Sequence, residues 1–147
     1  MALGHRLADL LAVGDVVTLA GPFGAGKTTL VQGIGQGLGI RGVLNSPSFG
    51  LVNEYEPTES GARIPFFHFD LYRVRDPVEV ADLDIDAYVR RGALAVEWPE
   101  VAAELLPPDR LALSLSLDGD ARRVDARTSG PRSNRLVAAI AKAGALC

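Results

Sequence analysis

Cysteine is almost absent from this chain: one occurs in 147 residues, as Cys147. An internal disulfide is therefore excluded, and nothing in cysteine usage points to an oxidising compartment. Long apolar runs are absent too, and none approaches the roughly 18 residues of a membrane span. The N-terminus does not read as a secretory leader, because Asp9 and Asp15 interrupt it and a glycine motif opens at Gly21. These absences make the cytosol the expected location. Charge of one sign is also scarce: 15 Lys and Arg against 18 Asp and Glu leave a net −3. A protein that grips nucleic acid unaided usually carries a basic face. The one local excess is Arg122, Arg123, Arg127, Arg132 and Arg135, diluted by Asp125. It reads as solvated hairpin and helix faces, with an RNA- or partner-facing patch as the sharper alternative.

What is present is ordinary for a soluble globular protein, with 48% hydrophobic and 22% charged residues. No repeat, low-complexity tract or linker divides the chain, so residues 1–147 read as a single domain. A domain of this size buries roughly two-thirds of its unfolded surface and folds without staples.

The pattern then alternates strands and helices. Leu3, Leu7, Leu10 and Leu11 predict an amphipathic helix over 3–13. Val16–Ala20 is a continuous apolar run, the mark of a central strand covered on both faces. A helix is expected over 27–38 despite Gly33, Gly35 and Gly37, each costing about 1 kcal/mol relative to Ala. Residues 48–56 alternate, with Phe49, Leu51 and Tyr55 on one side. After a turn-rich stretch over 57–63, a strand over 64–72 completes an antiparallel hairpin. Asp76, Pro77 and Glu79 form a helix start, and that helix should run to Arg90 with a break near Asp84. Ala93–Val96 is a second continuous apolar run, ending in Glu97. A short helix over 99–106, a hairpin turning at Asp118-Gly119 and a terminal helix over 131–146 complete the chain. The fold class is α/β: a P-loop NTPase-like sandwich, central parallel strands flanked by antiparallel hairpins, helices on both faces.

One motif carries chemistry outright. Gly21-Pro22-Phe23-Gly24-Ala25-Gly26-Lys27-Thr28 satisfies G-x-x-x-x-G-K-[ST] between an apolar strand and a helix. A chance match in a chain this long is on the order of one in a hundred or less. Glycines let backbone N–H groups converge on phosphate oxygens, and the helix N-terminus adds partial positive charge. In such loops the lysine, here Lys27, reaches the β- and γ-phosphates, and the hydroxyl of Thr28 ligates Mg²⁺. No N-K-x-D tetrapeptide occurs, which favours ATP over GTP.

P-loop enzymes also use an acid at the end of a strand beside the loop. Glu97 ends a buried-type strand, where ligands bind in α/β folds. It is therefore assigned to the Mg²⁺ side, directly or through water. The second candidate lies in Phe66-Phe67-His68-Phe69-Asp70-Leu71-Tyr72-Arg73, where oily and proton-exchanging residues alternate. Its strand is expected to be antiparallel and nearer the sheet edge. Asp70 there could orient an attacking water, hold a metal's outer shell, or sit in solvent. His68 reads as a surface or hydrogen-bonded residue, and Trp98 as packing or as a stacking surface for a base or partner.

Together, GPFGAGKTT, NSPSFGLVNEYE, FHFDLYR and VEWPE occur in the order and spacing of the bacterial TsaE (YjeE) family, which this chain resembles from about Leu7 to Leu117. The resemblance implies a small P-loop ATPase, acting with Mg²⁺, needed for the threonylcarbamoyladenosine modification of tRNA. It implies phosphate contacts from Gly24, Ala25, Gly26, Lys27, Thr28 and Thr29, magnesium ligands at Thr28 and Glu97, and a role for Asp70 in hydrolysis. Ser46-Pro47-Ser48 matches the family's S-P-[TS] segment and could act as a switch that senses the γ-phosphate, and Trp98 matches the family's conspicuous tryptophan. The implied partners are TsaD and TsaB, with tRNA reached only through them and no membrane involved. Two departures stand out. Pro22-Phe23 replaces the usual Asp-Leu, and family members carry extra residues before the first helix that contribute to the nucleotide pocket. Two readings compete: a small-molecule kinase using Asp70 and Arg73, for which 147 residues leave little lid, and a sensor that binds nucleotide without hydrolysing it.

Overall fold

The computed structural model describes residues 2–47 and 50–142. Ser48 and Phe49 of the anticipated first hairpin strand, and the last residues of the anticipated terminal helix, lie outside them. The described elements are α1 (Ala2–Leu10), β1 (Val16–Ala20), α2 (Lys27–Gly37), β2 (Val52–Tyr55), α3 (Pro57–Ser60), β3 (Phe66–Asp70), α4 (Val78–Ala81), α5 (Ile85–Arg91), β4 (Ala93–Glu97), a 3₁₀ segment (Pro99–Leu105), β5 (Leu111–Asp118), β6 (Ala121–Arg127) and α6 (Pro131–Lys142). Six strands form one sheet in the order β2-β3-β4-β1-β5-β6. The inner pairs β3–β4, β4–β1 and β1–β5 are parallel, and the outer pairs β2–β3 and β5–β6 are antiparallel.

One expectation is corrected here. β3 is antiparallel only to β2; it runs parallel to β4, in register from Phe66↔Ala93 to Asp70↔Glu97. The helices between β3 and β4 return the chain across the sheet, so both strands point the same way. Asp70 and Glu97 consequently end side by side.

The two continuous apolar runs become the two central strands, β1 and β4, because both faces of each are covered. One face of the sheet packs Val17, Leu19, Ala93 and Ala95 against Leu7, Leu11, Leu30, Ile34 and Leu136 of the helical side. The other packs Val16, Leu94, Val96, Phe67 and Phe69 against Val80, Ile85 and Leu106. Phe66, Phe67 and Phe69 are wholly buried, each contributing about 1.5–3 kcal/mol of apolar transfer.

Local signals explain most of the element ends. Asp76 Oδ1 accepts from the Val78 N–H, while Glu79 Oε2 accepts from the N–H groups of Arg75 and Asp76. This is the reciprocal cap that the spacing predicts. The expected break falls near Asp84: α4 ends at Ala81, and Asp84, at φ 51°, caps α5 by accepting from the Ala87 N–H. The β5–β6 turn sits one residue later than expected. Asp118 still pairs with Ala121, and Gly119 takes φ 60° as the first of two turn residues, the type II′ preference.

The glycines of α2 have a packing reason. A Cβ on Gly4 of α1 would lie 2.8 Å from the backbone of Gly33, Ile34 and Leu30, and one on Gly37 would lie 2.5 Å from the Ala8 Cβ. α1 and α2 therefore touch almost backbone to backbone. α6 is fastened differently. Buried Asp15 accepts from Arg132 at 2.8 Å, from Arg135 at 2.9 Å and from the Ala12 N–H at 2.9 Å. Two members of the basic cluster are thus structural.

Gly4→Ala is expected to destabilise the protein by about 1–3 kcal/mol, because the clash is with backbone and cannot be relieved by a rotamer change. Chemical denaturation will show this as a lower midpoint at unchanged slope.

Candidate active site

Parallel strands bring their carboxyl ends to one edge of a sheet, where α/β proteins bind ligands. Here β1, β3, β4 and β5 share that edge. β1 ends at Ala20 and feeds the glycine loop. Gly24 and Gly26 take φ 78° and 101°, a region glycine enters without steric cost. Gly26 caps α2 without a side-chain hydrogen bond. The positive end of an 11-residue helix is thus not taken up by a capping side chain, an arrangement suited to an anion.

Around this loop lies a cavity of about 570 Å³, within the range of small-ligand sites. Gly24, Gly26, Lys27, Thr28, Thr29, Asp70, Glu97 and Trp98 all line it. Ala25 is the site residue expected from sequence that does not. Its side chain is buried in the core and its N–H donates to the Pro22 carbonyl at 3.2 Å. Ser46 lines the cavity, while Ser48 lies outside the described residues.

Lys27 is buried, and its ammonium donates to the carbonyls of Gly21 and Pro22. The same Nζ sits 4.1 Å from the Trp98 ring centroid, a cation–π contact. Trp98 adopts φ 55°, a left-handed backbone costing on the order of 1–3 kcal/mol for a bulky residue. That turn stops β4 at Glu97, and the indole lies over Lys27. Phe23 and Tyr72 complete a cluster of three rings, with centroids 4.7 Å, 5.0 Å and 5.3 Å apart. Phe23 is 65% exposed.

The acids occupy the facing wall. Glu97 closes β4 and is 2% exposed. Its Oε1 accepts from the Thr28 hydroxyl at 2.9 Å, and its Oε2 lies 2.6 Å from His68 Nε2. Asp70 is half-buried and its Oδ1 accepts from the Tyr72 N–H at 3.1 Å. The alternating strand thus grades along one face. Phe66 and His68 are buried, Asp70 opens into the cavity, and Tyr72 stands exposed beyond the strand end. Of the two readings of His68, surface or hydrogen-bonded, the structure shows the second: it is buried on a strand held between β2 and β4 and meets Glu97.

Among the described residues no group of three or more His, Cys, Asp or Glu could cage a metal. The donors on hand, a hydroxyl and a carboxylate, are hard oxygens that suit Mg²⁺, an ion that takes its other ligands from phosphates and water.

Sequence reasoning missed two further lining residues, Asp120 and Arg122. β5 pairs Ser114 with Ala20 and then runs on past the end of β1. The turn after β5 is therefore carried over the glycine loop. The hairpin was legible, but its closeness to the loop depends on β5 lying next to β1. The remaining arginines behave otherwise. Arg123 pairs with Asp125 in solvent at 3.0 Å, and Arg127 is exposed away from this cavity.

Comparison with known proteins follows the same lines. A family model described as threonylcarbamoyl adenosine biosynthesis protein TsaE matches residues 1–125. A Streptomyces coelicolor tRNA threonylcarbamoyladenosine biosynthesis protein TsaE is 44% identical over 114 residues, 77% of this chain and 76% of the relative. The Bacillus subtilis protein of the same name is 41% identical over 123 residues, 83% of this chain and 74% of the relative. The crystal structure of Bacillus subtilis YdiB superposes with a TM-score of 0.77 at 30% identity, covering 97% of this chain and 87% of that one.

Arg122→Ala is expected to weaken binding of a polyphosphate anion in this cavity about tenfold, the loss of one charge-assisted contact, whereas Arg123→Ala leaves it unchanged. Titrations followed by emission of Trp98, the only tryptophan, will separate the two.

Proposed function

Since the chain belongs to the TsaE family of tRNA threonylcarbamoyladenosine biosynthesis, we propose that it binds and hydrolyses ATP as an accessory subunit acting on the TsaD–TsaB pair. The observation that carries this reading is the convergence of Lys27, Thr28, Asp70 and Glu97 on one cavity beside the glycine loop. The loop N–H groups and Lys27 hold the β- and γ-phosphates. To reach them, the ammonium must leave the carbonyls of Gly21 and Pro22, exchanging two neutral acceptors for charged phosphate oxygens.

Thr28 and Glu97 hold Mg²⁺, directly or through water, and the ion when bound neutralises charge on the phosphate oxygens. Asp70 lies one strand over from Glu97 and orients the attacking water. Its Oδ1 accepts from the Tyr72 N–H, which fixes the carboxylate and leaves acceptor sites on both oxygens for the water. Trp98 flanks Lys27 and, with Phe23 and Tyr72, forms an aromatic rim to the phosphate site. The protein acts on tRNA only through its partners, which agrees with a net charge of −3. Hydrolysis that resets the partner complex between turnovers is slow in the isolated protein. The site of action is the cytoplasm.

ATP turnover measured with and without purified TsaD and TsaB, with tRNA modification followed in parallel, tests the reading. Stimulation by the partners is expected. Asp70→Ala should lower turnover in the complex by about 10²-fold or more while leaving ATP binding within a few-fold of wild type. Wild-type turnover by Asp70→Ala would remove Asp70 from the mechanism. No hydrolysis with every partner present would leave a nucleotide sensor.

A further inference from the structure

Among the described residues, Glu97 is the only cavity acid with both oxygens engaged by side chains of other elements. Thr28, from the first turn of α2, donates to Oε1, and His68, from the middle of β3, meets Oε2. The His68 and Glu97 side chains are 1% and 2% exposed, so neither is held by solvent. His68 Nδ1 has no hydrogen-bond partner although it is buried. That orphan atom identifies the tautomer. A carboxylate oxygen needs a donor, so Nε2 carries the proton. An N–H at Nδ1 would be a buried, unpaired donor, which costs more than a buried lone pair. The imidazole is therefore a one-way donor, through Nε2–H, to Glu97 Oε2.

We propose that His68 is a positioning residue for the magnesium function of Glu97; the inference rests on the metal assignment above. It holds Oε2 inward, toward β3, and leaves Oε1 as the one oxygen presented to Thr28 and the cavity. The Thr28 hydroxyl has one proton and two lone pairs. Donating its proton to Oε1 leaves the lone pairs directed elsewhere, free for a cation. Without the imidazole the carboxylate would lose its orientation and could turn to present both oxygens to the cavity. Histidine–carboxylate pairs of this kind orient ligands around metals generally, and removing the outer partner costs about 10- to 100-fold in metal affinity.

The test uses the full chain and reads nucleotide binding instead of turnover. ADP affinity is measured by calorimetry at a series of Mg²⁺ concentrations and in EDTA, for wild type, His68→Leu and His68→Gln. Gln places an amide N–H near the position of Nε2 and should restore the donor. The expected result is a rise of about tenfold in the Mg²⁺ concentration needed for half-maximal effect in His68→Leu. Affinity in EDTA should be unchanged, and His68→Gln should return to within about threefold of wild type. In a Glu97→Gln background, His68→Leu should shift the Mg²⁺ dependence no further. Equal weakening with and without Mg²⁺, failure of Gln to restore it, or an additive effect in Glu97→Gln would each overturn the proposal. If His68→Leu does not fold, His68→Asn, whose amide is too short to reach Oε2, takes its place, with the same tenfold rise expected and wild-type Mg²⁺ dependence overturning the proposal. Wild-type protein that shows this Mg²⁺ coupling yet never hydrolyses ATP with TsaD and TsaB would refute the ATPase reading and leave His68 in its role.

Discussion

A carboxylate cannot be buried without partners, because removal from water costs several kcal/mol even after relaxation. Glu97 is buried, and its partners come from two other elements, Thr28 of α2 and His68 of β3. That requirement ties the geometry of the site together. Thr28 directly follows Lys27, so anchoring its hydroxyl orients the first turn of α2 and, through it, the end of the glycine loop. His68 reaches Glu97 only because β3 and β4 are parallel and His68 lies two residues before the Asp70↔Glu97 pair. A slip of one residue would turn His68 to the opposite face, among the phenylalanines. One hydrogen-bonded carboxylate thus depends on, and enforces, the register of two strands and the seating of one helix.

The surrounding structure makes that seating rigid. α2 is pinned from behind by α1 at a glycine-to-glycine contact, and α1 is followed by Asp15, which clamps Arg132 and Arg135 of α6. The helix carrying Lys27 and Thr28 is therefore held at its far end by close backbone packing and at its near end by Glu97. Backbone strain in non-glycine residues is confined, among the described residues, to Asp84 and Trp98. Asp84 gains a cap for α5 in return. Trp98 gains no cap, and what its unusual backbone achieves is to place the indole on Lys27. Strain that serves a contact at a ligand cavity instead of an element end is the pattern expected of a functional residue.

Much of this was legible in the sequence because it is encoded locally. The apolar runs of β1 and β4, the reciprocal cap at Asp76 and Glu79, the break at Asp84 and the glycine loop all depend on residues within a few positions of one another. What could not be read depends on sheet order. Nothing near Arg122 says that its hairpin lies against β1, and so over the loop. Nothing near His68 says that β4 runs parallel to its strand and ends in its hydrogen-bond acceptor. Arg132 and Arg135 looked like solvent-facing charge because their partner, Asp15, lies more than a hundred residues earlier. Likewise Gly33 and Gly37 looked like a cost in helix propensity until α1 was found against them.

The charge lining the cavity bears on what can enter it. Lys27 and Arg122 face Asp70, Glu97 and Asp120, so the wall is not simply basic. A bare polyphosphate would meet two cations and three anions, and at the low effective dielectric of a partly closed cavity the unfavourable contacts would be large. The distribution of these charges decides the outcome. Glu97 is committed to Thr28 and His68, and Asp70 stands beside it at the same strand edge, so negative charge is concentrated on the wall formed by β3 and β4. Lys27 and the positive end of α2 lie on the loop side. A phosphate that arrives with a divalent cation matches both walls, its oxygens toward the loop and the cation toward the acids. This asymmetry favours the magnesium nucleotide proposed above over a free anion.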